Sequence, residues 1–409
     1  MRTLIFMFRL QKEIFAALFL GLFFGVADAA RAVELGVDVL QRQDFISLHG
    51  KRVGLVTNQT GTNSAGVKTR VLMRRSPNVN LVALFTPEHG LDSTEGAGRY
   101  VSTRRDPLTG LIAYSLYGPT RKPTPQMLAG IDVLVYDMQD IGCRSYTYVS
   151  TMVKCMEACG EKGIEFMVLD RPNPLGGVRV EGPPIEARWI SFIGQLPVPY
   201  VHGMTCGELA KMADALGWVQ PRCPLTVVNM HDWRRQMTWG DTGLRWVRPS
   251  PNIPNEISPF YYVATGMIGE LAGLETGVGT PEAFEIVAGR GVDAGRMASV
   301  MQGMHTPGVT FLPYSRGGFQ GVRLRIEPHN DANLCAISMQ MLAQLSAGSR
   351  PSLFARSRGE KLELFFKSYG SSSIQSLVEN ETPVPRIIAS WGPSLARFEA
   401  QRVPYLMYP

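Results

Sequence analysis

Between residues 50 and 174 the chain repeats one plan four times: an apolar run of strand length, a polar cluster at its end, then a stretch of helical character. The runs are Val53–Thr57 leading into Asn58-Gln59-Thr60, Leu81–Phe85 leading into Glu88-His89, Ile131–Tyr136 leading into Asp137-Met138-Gln139-Asp140, and Ile164–Leu169 leading into Asp170-Arg171-Pro172-Asn173. Strands that are apolar throughout, rather than alternating, are buried on both faces, as in a parallel sheet covered by helices. Ligands bind such sheets outside the carboxyl ends of the strands, where all four polar clusters fall. A fifth run, Leu225–Val228, extends the sheet, and Thr205 with Glu208 three residues later reads as a capping box opening a helix over 205–217. Prolines crowd the stretch from Trp246 to Pro259 and mark the end of this domain. Beyond it, helices such as Asn333–Leu345 alternate with strands such as Val322–Ile326. The expected fold class is α/β, with a parallel-sheet domain over 30–255 and a smaller α+β domain over 256–409.

Residues 1–29 follow another design. Arg2, Arg9 and Lys12 precede the apolar run Ile14 to Val26, and Ala27-Asp28-Ala29 supplies small residues for cleavage, which together read as a signal peptide. The run falls short of the roughly 20 apolar residues that span a bilayer. The expectation is therefore an exported protein, periplasmic or secreted, with no stable membrane insertion after cleavage. The six cysteines then meet an oxidising compartment, where disulfides can form, although small buried thiols explain them as well. The formal charge is +6 with no dense Lys/Arg run, which gives nucleic-acid binding no support and permits attraction to an anionic polymer. No GxGxxG follows the first strand and no GxxxxGK[ST] occurs anywhere, so no nucleotide cofactor is expected. Nothing in the sequence sets an oligomeric state.

The chemistry-bearing residues follow from the strand ends. Glu88, stiffened by Pro87 and followed by His89 and Gly90, suits a general acid projecting above the sheet, the alternative being a carboxylate that caps the next turn. Asp137, Gln139 and Asp140, with Arg144 and Tyr146 just beyond, place several carboxylates near one cleft, as sugar hydrolysis requires. Mg²⁺ or Ca²⁺ would take such oxygens too, but no HExxH, DxDxDG or paired-His spacing supports a dedicated metal site. Arg144 fits either an ion pair with Asp137 or Asp140 or recognition of a ligand carboxylate. Two prolines stiffen the loop that carries Asp170, Arg171 and Asn173. Glu181, His202 and Asn58 are further polar candidates, each also explained as a loop-organising partner. Trp246 and Asn252 offer an apolar face and an amide of the kind that grip an N-acetylated sugar, while core packing explains Trp246 equally.

Taken in order, Gly54-Leu-Val-Thr-Asn58, Pro87-Glu-His-Gly90, Tyr136-Asp-Met-Gln-Asp140, Tyr146-Thr-Tyr148, Leu169-Asp-Arg-Pro-Asn-Pro174, Glu181-Gly-Pro183, His202-Gly-Met-Thr205 and Pro249-Ser-Pro-Asn252 resemble the NamZ-type exo-β-N-acetylmuramidase family over residues 34 to 409. The resemblance implies a Rossmann-like N-terminal domain, a smaller C-terminal domain, and release of N-acetylmuramic acid from non-reducing ends of peptidoglycan fragments. It maps the catalytic glutamate to Glu88 and leaves the second catalytic group open; the strand-end reading takes Asp137, Asp140 and Asp170 as the assisting carboxylates. Many relatives carry Gly-Arg-Gly-Thr where this chain has Gly277-Val278-Gly279-Thr280. If that arginine holds the lactyl carboxylate, this chain either binds another N-acetylated sugar or uses another cation, such as Arg144 or Arg171. Glu270 and Glu275, just before that motif, are read either as lining the domain interface or as carboxylates of a capped helix. Two other readings stay open at this stage: a metal-assisted hydrolase using His89 and the aspartates, and an exported non-catalytic protein that binds muropeptides.

Overall fold

The computed structural model describes residues 32–347 and 349–409; the leader read over 1–29 lies outside them. The predicted apolar runs form the middle of a seven-stranded sheet. Its strands are β1 (Arg52–Thr57), β2 (Asn80–Thr86), β3 (Arg104–Arg105), β4 (Ile112–Ser115), β5 (Val133–Asp137), β6 (Glu165–Leu169) and β7 (Leu225–Val228), in the order β3-β4-β2-β1-β5-β6-β7. All neighbours pair in parallel except β3, which runs antiparallel to β4. The interior residues of β5 are all buried, consistent with helices on both faces. These are α1 (Gly36–Arg42), α2 (Thr69–Arg75), α3 (Thr147–Lys162) and α4 (Cys206–Ala215). Helix α4 opens as its sequence dictates, with the Thr205 side chain accepting from the Glu208 amide and the Glu208 carboxylate accepting from the Thr205 amide, and it stops two residues short of the expected end.

The strand order reverses at β1. Strand β2 lies on one side of it and β5 on the other, so a crevice opens above their carboxyl ends. Strands β3 and β4 were not expected, because β3 has two exposed residues and β4 only four.

A second, antiparallel sheet follows, with β8 (Leu274–Glu275), β9 (Ile286–Gly289), β10 (Val309–Arg316) and β11 (Phe319–Ile326) in the order β10-β11-β9-β8. Helices α5 (Ala294–Gln302) and α6 (Leu334–Ala347) pack against it. The chain ends by returning to the first sheet: the Tyr408 hydroxyl donates to Asp170 at 2.6 Å and the Met407 amide to Glu208 at 2.9 Å. All six cysteines are buried free thiols, held as small apolar side chains rather than cross-links.

Candidate active site

Strand β2 delivers Glu88 to a cleft of about 900 Å³ whose floor is the carboxyl edge of the first sheet and whose roof is the second domain. His89 and Gly90 both adopt left-handed backbone (φ 70° and 80°), which folds the chain back after Pro87 and keeps Glu88 at the cleft wall. Both carboxylate oxygens of Glu88 are engaged. Oε1 accepts from the Gly98 amide at 2.7 Å, and Oε2 accepts from the Thr147 hydroxyl, in the first turn of α3, at 2.8 Å. A proton on Oε1 would face a group that can only donate. His89 Nδ1 donates to the Glu95 carbonyl at 2.8 Å, since a carbonyl only accepts.

Beside Glu88, the cleft gathers Tyr146, Thr147 and Asn252 from the first domain and Tyr262, Glu270, Glu275 and Val278 from the second. Tyr146 stands edge-on to Tyr148 and Tyr262, with ring centroids 4.8 Å and 6.1 Å apart. Asn252 accepts from the Gly279 amide at 3.0 Å and so ties the two domains across the cleft mouth. Glu275 accepts from the Gly277 amide at 2.7 Å within its own turn. Tyr117 sits by Glu88, and burial together with the Glu88 charge pushes its hydroxyl up to about 12.

The other expected catalytic carboxylates are elsewhere. Asp137, Asp140 and Asp170 do not line this cleft, which corrects the expectation that they assist Glu88. Asp137 is fully buried, pairs with Arg171 Nε at 2.6 Å and accepts from the Thr69 hydroxyl at 2.5 Å, so it clamps two loops and α2 together. Asp140 accepts from the Gly142 amide at 2.8 Å, and burial pushes its carboxyl up to about 7. Gly142 (φ 80°) permits this turn, since a side chain there would run into Asn173. Burial also raises Asp170, to about 6, where it accepts from Thr205, Gly207 and Tyr408 and anchors α4 and the C-terminus.

The cations expected for the ligand are spent as well. Arg144 donates to the carbonyls of Pro183, Val198, Ser368 and Tyr369 at 2.8 to 3.0 Å, and has neither Asp137 nor Asp140 as partner. Its desolvation, without a carboxylate to offset it, pulls the guanidinium down to about 10. Arg171 belongs to Asp137. Glu181 pairs with Arg179 and accepts from the Cys335 amide, and so joins the two domains away from the cleft. Gln139, Arg171 and Trp246 line a separate cavity of about 370 Å³, where Trp246 stands edge-on to Trp239 at 4.9 Å. His202, Asn173, Asp140 and Gln139 surround a void of about 10 Å³ below it. His202 Nδ1 accepts from the Met204 amide at 3.2 Å, and burial depresses its pKa to about 3, so the ring is neutral. Asn58 accepts from both the amide and the hydroxyl of Thr60 and is fully buried, a turn-forming role. Among the described residues no group of three or more His, Cys, Asp or Glu side chains converges as a metal site.

Residues 53–257 match the family model described as the N-terminal part of exo-β-N-acetylmuramidase NamZ, and residues 260–408 match the model of its C-terminal part. The chain belongs to the NamZ family. A curated NamZ relative, the peptidoglycan β-N-acetylmuramidase of Bacillus subtilis (strain 168), is 37% identical over 421 residues, covering 98% of this chain and all of its own. Two solved structures of DUF1343 family proteins from Bacteroides fragilis share the NamZ fold seen here. One has a TM-score of 0.86 at 40% identity and the other 0.69 at 25% identity, each covering 92% of this chain and 99% of its own.

Sequence reasoning missed Arg121, Tyr117, Tyr262 and Lys367 in the cleft. Tyr117 and Arg121 follow β4, and the apolar run Leu111–Tyr117 was the signal that a strand end lay there.

Proposed function

We propose that this chain is an exo-acting β-N-acetylmuramidase that hydrolyses the bond of a non-reducing terminal N-acetylmuramic acid in peptidoglycan fragments, and that it works outside the cytoplasm during cell-wall turnover. The observation that carries the reading is Glu88, fixed by the Gly98 amide and the Thr147 hydroxyl on the wall of a sugar-sized cleft in a NamZ-family chain. The curated relative's activity is the source of the substrate. Export rests on the leader pattern of residues 1–29.

N-Acetylmuramic acid differs from N-acetylglucosamine by a lactyl ether that carries a carboxylate, so recognition calls for a cation. Val278, where many relatives have arginine, supplies none, although it lines the cleft and is 48% exposed. Lys367 lines the cleft but pairs with Glu363 at 2.6 Å. Arg121 also lines it. Its guanidinium carbon lies 4.1 Å from the Tyr117 ring centroid and 4.5 Å from that of Phe192, and this clamp, with the Tyr117 hydroxyl beside it, holds at the cleft wall the cation proposed for the lactyl carboxylate.

Incubation with the disaccharide N-acetylmuramyl-β-1,4-N-acetylglucosamine, with products resolved by mass, tests the reading. Free N-acetylmuramic acid from the non-reducing end supports it. Binding without turnover would return the chain to the muropeptide-binding alternative.

A further inference from the structure

Enzymatic cleavage of a glycosidic bond generally uses two carboxyl groups, one to protonate the leaving oxygen and one to act on the water or the sugar. Glu88 supplies one. With Asp137, Asp140 and Asp170 outside the cleft, the remaining carboxyl groups on its wall are Glu270 and Glu275, both from the second domain. Glu275 is engaged by the amide of Gly277. Among the described residues the Glu270 carboxyl makes no hydrogen bond or close ion pair, and Lys361 is the cation that acts on it from farther away.

The local structure presents Glu270 to the ligand space. Residues Ser258–Tyr261, Tyr262–Gly266 and Met267–Gly269 make one continuous helical run, and its middle segment is a π turn, a feature frequent at functional sites. Tyr262, Gly266, Gly269 and Glu270 all line the cleft from this run. Glu270 caps its carboxyl-terminal end, where the helix dipole disfavours a negative charge. Burial is the main cause that pushes its carboxyl up to about 7; Lys361 opposes this and the charge of Glu88 adds to it. The two glutamates thus differ in surroundings. Glu88 has a donor on each oxygen, and Glu270 has none.

We infer that Glu270 is the general acid of this site, with Glu88, on the opposite domain, as the carboxylate that takes the proton from the attacking water. The inference rests on the glycosidase reading above and replaces the sequence-based expectation that Glu88 is the acid. As the C1–O bond breaks, its electron pair stays on the departing oxygen, which takes the proton of Glu270. The water oxygen bonds to C1 and loses a proton to Glu88. One water is consumed, its hydroxyl ending on C1, and proton exchange with solvent restores Glu270 and Glu88. Because the two groups come from different domains, the site is complete only when both domains frame it.

The test compares leaving groups in the Glu270→Gln variant. A general acid matters for an alkoxide leaving group and little for a dinitrophenolate, which departs without protonation. The expected result is a loss of about 100-fold or more in kcat on the muramyl disaccharide, against less than about 10-fold on the 2,4-dinitrophenyl β-N-acetylmuraminide, with the alkaline limb of the pH profile, set near pH 7 in the parent, absent from the variant. Turnover of the dinitrophenyl substrate also shows that the variant is folded. Equal losses on both substrates, no loss on either, or a dead variant that still binds N-acetylmuramic acid in calorimetry would each overturn the assignment. If the parent enzyme cleaves neither muraminide, the glycosidase reading itself fails, which is a different outcome from a parent that cleaves both and a variant that does not discriminate.

Discussion

The Thr147 hydroxyl donates to Glu88 Oε2 at 2.8 Å, joining the first turn of α3 to the loop after β2 across the floor of the cleft. The contact fixes the direction in which Glu88 faces the substrate, and a carboxylate turned away by even 1 Å loses much of its rate advantage. Thr147→Val keeps the shape and removes the donor. The expected outcome is a fall in kcat of about 10-fold with KM little changed, restored in part by Thr147→Ser, since hydrogen bonds to charged groups contribute about 1.5–3 kcal/mol. Steady-state kinetics on the disaccharide checks this. A change in KM alone would mean that Thr147 binds sugar rather than orienting Glu88.

Asp137→Asn separates structure from catalysis. The variant strands the Arg171 guanidinium, which is 5% exposed, beside a neutral amide. Breaking a buried pair from one side costs about 3–5 kcal/mol, so the urea midpoint drops while kcat of the folded enzyme stays within a few-fold. Loss of kcat without loss of stability would restore Asp137 to the catalytic machinery.

Asp140 makes stability depend on pH in a defined direction. Its folded carboxyl is raised from 3.8 to about 7, so between those values the folded state holds a proton that the unfolded state has released. Stability from this group is therefore greatest below about pH 4 and falls as pH rises to about 7, after which the cost of the buried charge is constant. Asp140→Asn has no proton to lose. Relative to the parent it gains stability across that window, on the order of a few kcal/mol in all. Melting curves taken from pH 4 to 8 check the sign. A gap that closes as pH rises would show that Asp140 is ionised at little cost.

Much of this was legible in the sequence, and the reason lies in the strands. Val53–Thr57 is buried throughout, and Leu81–Phe85 and Ile164–Leu169 are buried apart from the exposed Val82 and the half-buried Glu165, so these runs admit little but a covered strand, and Glu88 follows from its place at a strand end beside proline. The strand ends do not reveal which polar residues face the same cavity. Asp137 and Asp170 follow their strands as directly as Glu88 does, yet their nearest partners, Arg171, Thr205 and Tyr408, draw them into loop anchoring. Tyr408 is 238 residues from Asp170 in sequence, a distance that spacing arguments do not bridge. Glu270 was legible as an interface residue but not as an acid, because that role depends on a roof that only the folded second domain supplies.

The proposed function assigns recognition of the lactyl carboxylate to Arg121 on the cleft wall. Arg121→Gln keeps part of the stack on Tyr117 and removes the charge. A charge-assisted bidentate contact is roughly twice as strong as a neutral one, so kcat/KM on the muraminide falls by about 10- to 100-fold while turnover of the N-acetylglucosaminide is unchanged. Equal losses on both sugars would mean that Arg121 supports the cleft wall instead.

The most direct measurement is turnover of a chromogenic β-N-acetylmuraminide by residues 30–409 and by its Glu88→Gln variant, with the β-N-acetylglucosaminide in parallel. The account predicts muraminide cleavage that the variant lacks by at least about 100-fold, at unchanged melting temperature. Cleavage of the muraminide at equal rates by both proteins, or of the glucosaminide alone, would contradict it.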